Sequence, residues 1–207
     1  MIHGNVMAMK KVLIVLLFLT GFHAVSGQDK IVTRKSRFVN FTELGVLLGN
    51  AYQITNSSGY SSPVLSKTSF SVQTFNGLRL IPNLAAGITV GIDWLGKYQI
   101  LPISAGLRKT FGLEKSNRVK AFLGLDAGYG FTWLNDEIPW QTIKGSINIS
   151  PAAGLMIPTG GDAFITVSAG YKHNELTITQ GTDNIYGQTS VNNNRYDRMS
   201  IRIGVSF

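Results

Sequence analysis

Apolar and polar residues alternate through most of this chain, and the alternation comes in blocks. The clearest runs from Leu84 to Trp94, where Leu84, Ala86, Ile88, Val90, Ile92 and Trp94 alternate with Ala85, Gly87, Thr89, Gly91 and Asp93. Period two is the signature of a strand with one apolar face and one small or polar face. The same pattern predicts strands over 38–50, 67–80, 100–111, 118–134, 145–157, 162–176 and 196–207, eight in all, with no long helical pattern among them. Asn76 interrupts the apolar face of the second strand and predicts a bulge there. Pro151 in the sixth strand removes one ladder donor.

The connections also alternate. Polar loops of 51–66, 135–144 and 177–195 follow the first, fifth and seventh strands. The connections after the second, fourth and sixth strands are short, and so is the one after the third. Long loops on one side and tight turns on the other predict an all-β, antiparallel, up-and-down barrel.

The composition of the two faces decides which side meets solvent. Leu, Ile, Val and aromatic residues dominate one face. Gly, Ser and Thr dominate the other, together with Glu43, Asp93, Arg108, Asp126, Lys172, Arg198 and Arg202. A soluble lipocalin-like binder, the alternative, would point its charges outward. Eight strands enclose an interior only wide enough for side chains. The small and charged face therefore fits the lumen and the apolar face fits lipid, with closure leaving no bare strand edge in hydrocarbon. The seven charges read as a structural network whose members neutralise one another. Trp94, Trp133, Tyr129, Tyr171 and Phe207 fall near strand ends, where interfacial girdles lie.

The last stretch, 196–207, is the most specific. Met199, Ile201, Ile203, Val205 and Phe207 share one face against Arg198, Ser200, Arg202, Gly204 and Ser206, and the strand closes on Phe. It resembles the terminal strand of bacterial outer-membrane β-barrels, in particular the small barrels that include the OmpA transmembrane domain and OmpX-like proteins. The resemblance implies an eight-stranded barrel in the outer membrane with both termini periplasmic. It implies outer-membrane lipid and lipopolysaccharide as neighbours. It also implies recognition by the barrel-assembly machinery through Tyr196, Met199, Ile201, Ile203, Val205 and Phe207.

Composition adds limits. Charged residues make up only 14% and glycines number 23, which suits a β protein and not a disordered chain. The absence of Cys excludes disulfides, thiolate metal sites and a cysteine nucleophile. Lys10 and Lys11, the apolar run 12–19 and small residues up to Gly27 predict a signal peptide over 1–27, with Met7 and Met9 as alternative starts. A polar lead-in over 28–37 then precedes the barrel at 38–207. The net charge of +8 comes from scattered residues, so no nucleic-acid partner is expected.

Chemistry is scarce. His173 is the only histidine after the predicted signal, and Ser168 and Glu175 are near it in sequence. Alternation nevertheless sends Ser168 inward and His173 outward, so the Ser–His–acid arrangement of lipid A deacylases is not expected. The segment 124–130 is glycine-rich but has no following helix or phosphate lysine. No catalytic residue, metal site or cofactor is expected. The sequence supports a structural or surface-interaction role through the outer loops, with no ligand code for an extracellular partner. A narrow pore and a lipid A-modifying enzyme are the alternatives.

Overall fold

The computed structural model describes residues 37–55, 61–64, 68–96, 98–112, 118–135, 141–181 and 189–207. The predicted signal peptide and most of the lead-in lie outside them, as do Trp140 and the centres of the predicted long loops. Every regular element described is a strand: β1 (Phe38–Thr55), β2 (Ser61–Val64), β3 (Ser69–Ile81), β4 (Leu84–Leu95), β5 (Tyr98–Phe111), β6 (Lys120–Phe131), β7 (Gln141–Pro158), β8 (Phe164–Gly181) and β9 (Thr189–Ser206).

Eight of these strands form one closed antiparallel ring, in which each pairs with its neighbour in sequence and β9 returns to β1 from Phe41↔Ser206 to Thr55↔Asn192. The ninth, β2, pairs only with β1, at 51–54, and continues the row that β3 occupies at 38–47. Following register partners once round leads from Asn40 through Asn76, Ile88, Ala105, Ala127, Ile149, His173 and Asp197 to Asn50. The walk thus climbs ten residues along β1, the stagger of a barrel whose strands tilt by about 35–45°.

Phe38 and Ser206 mark the lower end of the barrel. Two of its connections are tight: Pro82–Asn83 links β3 to β4, and the 159–163 connection is tied by Thr159 N–H donating to Ala163 O. Toward the upper end the wall is uneven. β1, β7, β8 and β9 each span 18 residues, whereas β3, β4, β5 and β6 span 13, 12, 14 and 12. Parts of the predicted loops are therefore strand: β1 runs on to Thr55, β7 starts at Gln141, β8 reaches Gly181 and β9 starts at Thr189. On the β6 side, the exposed upper edge of β7 is met by side chains: Thr132 Oγ1 donates to Ile143 O at 2.9 Å and Tyr129 OH to Gly145 O at 2.6 Å.

Two local expectations change. The irregularity in β3 falls between Arg79 and Ile81 and not at Asn76, which stays on the outer face opposite Asn40 and accepts its amide at 2.7 Å. A polar partner across the strand makes a bulge there unnecessary. The other register shift lies in β7 between Gly145 and Asn148, below the extended segment. Pro151 sits between the bridged pairs Ile149↔His173 and Ala152↔Gly170, so its missing N–H interrupts neither of them.

Candidate functional site

Alternation places all seven predicted lumen charges inside. Glu43, Asp93, Arg108, Asp126, Lys172, Arg198 and Arg202 are each 3% exposed or less. Ions removed from water need charge partners and hydrogen bonds, and the lumen supplies both. Arg108 grips Asp126 with two parallel bonds of 2.8 and 3.0 Å, the fork geometry that suits a carboxylate. Thr89 adds a third bond to Asp126 at 2.6 Å. Across the lumen, Lys172 of β8 donates to Asp93 of β4 at 2.8 Å, joined by Ser71 at 2.6 Å and Asn174 at 3.2 Å. Glu43 accepts from Gln73 at 3.0 Å and Ser168 at 2.8 Å, with the Arg202 guanidinium 3.7 Å away. Arg202 also donates to Ser150 and Ser200, and Arg198 donates to Ser69.

Glycine makes room for these side chains. A Cβ on Gly106 would lie 2.6 Å from Asp126 Oδ1, and one on Gly45 would lie 2.7 Å from Arg202 Cγ. The abundance of inward glycine seen in the sequence thus belongs to a crowded lumen.

The charged layer is closed below and above by apolar clusters. The lower one joins Val39, Phe41, Phe75, Ala85, Phe122 and Met156. The Arg108 guanidinium lies over the Phe75 ring at 4.5 Å and so links that cluster to the ion pairs. The upper one joins Leu47, Ala51, Leu95, Ile100, Leu176 and Tyr196, with Tyr98 and Ile143 packed against it. Alternation alone predicts a lumen face of small and charged residues. The aromatic interruptions of that face, Phe41, Phe75 and Phe122, were the available signal for the lower cluster. Of the predicted assembly residues, Met199, Ile201, Ile203, Val205 and Phe207 are exposed on the outer face, whereas Tyr196 points inward into the upper cluster.

The outer face carries a second polar group that alternation alone did not single out. Asp197 accepts from Tyr171 OH and from Arg195 Nε at 2.6 Å, and His173 Nδ1 lies 2.6 Å from the same carboxylate. His173 Nε2 is 3.3 Å from Glu175. Ser168 turns to the lumen toward Glu43, so the barrel wall separates it from His173. The signal for this cluster was present: Asp197 and Arg195 share the parity of Met199 and Ile201.

No known family model matches this chain, and no curated protein matches it. Among solved structures, the crystal structure of the outer membrane protein OprG from Pseudomonas aeruginosa aligns over 83% of this chain and 94% of its own, at a TM-score of 0.55 and 12% identity. The solid-state NMR structure of outer membrane protein AlkL in DMPC lipid bilayers aligns over 87% of this chain and 93% of its own, at a TM-score of 0.46 and 13% identity. At such identity the OprG likeness bears on the fold, an eight-stranded closed barrel.

Proposed function

We propose that this chain is a small bacterial outer-membrane barrel of the OmpX-like, structural type: a sealed anchor that presents a tall rim to the cell exterior. The observation that carries this reading is the inverted distribution of charge. Residues such as Leu44, Phe70, Ile88, Met199 and Ile203 are more than half exposed on the outer wall, while the lumen charges are buried. Water on the outer wall would oppose that arrangement and hydrocarbon favours it. In this reading the lower end, with its tight turns, is periplasmic. Phe38 and Phe207, whose rings lie 6.2 Å apart, belong to the lower girdle, and Trp94, Tyr129 and Trp133 to the upper one. The barrel-assembly machinery reads the outward residues of β9, and lipopolysaccharide surrounds the upper wall.

The apolar clusters on either side of the ion pairs support an anchor over a pore. The proposal assigns no chemistry to Ser168 or His173. The outer-membrane fraction should contain the protein in a form that resists SDS until boiled and then changes its migration on a gel. Recovery from the soluble periplasm with no such shift would sink the membrane reading. In planar bilayers the folded protein is expected to give no single-channel steps. Discrete openings that disappear in Arg108→Ala or Arg202→Ala would replace the anchor with a narrow pore.

A further inference from the structure

The outer wall is not uniformly smooth. A groove of about 610 Å³ crosses β5 to β8 on the outside of the barrel. Its floor is the register pair Ala153↔Ala169, where β7 and β8 carry only methyl groups. Leu123 and Leu125 of β6 bound it on one side and Tyr171 of β8 on the other. One register row, Leu84–Lys109–Leu123–Ala153–Ala169, runs through it.

Lys109 lies at the lower mouth of the groove. Its partner Leu84 is the first residue of β4, next to the lower turn. Among the outward-pointing residues of the described strands in the lower half of the barrel, Lys109 is the one cation. Strands that rise about 3.3 Å per residue and tilt at about 40° gain roughly 2.5 Å of height per residue. On that scale the groove climbs about 14 Å from Lys109 to Tyr171, roughly half of an apolar band about 25 Å tall. It has the reach of one leaflet, with a positive charge where that leaflet places its phosphates and an apolar trough where it places its chains.

We infer that this groove holds one phospholipid of the periplasmic leaflet, its phosphate against the Lys109 ammonium and an acyl chain over Ala153 and Ala169. The inference rests on the membrane placement proposed above. The test uses the full folded barrel, titrated in detergent with phosphatidylglycerol or phosphatidylethanolamine and followed by native mass spectrometry. One retained lipid per barrel is expected. Lys109→Gln should weaken retention about fivefold, the effect of one cation beside an anionic headgroup. Ala169→Phe fills the floor from the outside and should abolish retention of both lipids. Absence of retained lipid on the native barrel, or equal retention by all three proteins, overturns the inference. A dimer that Ala169→Phe dissociates also overturns it, since a second copy then occupies the groove. Failure of the protein to enter vesicles sinks the membrane placement itself, whereas entry without a retained lipid sinks only the lipid site.

Discussion

Asp93→Ala is expected to destabilise the folded barrel by about 3–5 kcal/mol, the range for removing one partner of a buried ion pair. Asp93 is fully buried and gathers Lys172, Ser71 and Asn174 around its two oxygens. The alanine leaves an ammonium 2% exposed facing a void, and two neutral groups lose their acceptor. The measurement is the urea midpoint of the protein refolded into vesicles. The double variant Asp93→Leu/Lys172→Met should recover most of the loss, because replacing a whole buried pair by apolar groups is often neutral. A single-variant cost below about 1 kcal/mol would mean that water reaches the lumen charges, and the sealed-lumen argument would fall.

Leu44→Arg is expected to cost about 2–4 kcal/mol in a bilayer, the penalty for arginine on the lipid face near the midplane. Leu44 is 58% exposed, on the outer face of β1 between register partners Val72 and Ile203. In water the same exposed substitution would stay within about 0.5 kcal/mol. Unfolding of the two proteins from vesicles therefore separates the environments by magnitude. An unchanged midpoint would point to a soluble barrel.

Much of the fold could be read from period two. Inside and outside were assigned correctly along Leu84–Trp94 because Asp93 and Gly alternate with Ile and Val, a contrast that only one register satisfies. The upper ends of β7, β8 and β9 were not legible. In β8 the contrast inverts, with Leu176 and Ile178 on the inward parity that Ser168 and Lys172 hold lower down, and in β9 Asn193 and Asn194 offer no contrast to count, yet hairpin pairing carries on through both. The lumen charges were legible as a set but not as pairs. Asp93 and Lys172 stand on β4 and β8, across the barrel, so their contact depends on closure and not on spacing. Tyr196 shows the opposite case: its even-numbered parity with Arg198 already placed it inside, and grouping it with Met199 followed sequence proximity instead of alternation.

The uneven wall has a consequence for self-association. A strand that outgrows its neighbour presents bare amides and carbonyls, a template on which another chain can add. Here β2 covers β1 at 51–54 on one flank, and on the other Thr132 and Tyr129 occupy carbonyls of β7. The rim can therefore rise above the shorter strands while offering little backbone to a passing strand, so that whatever it meets must be engaged through side chains.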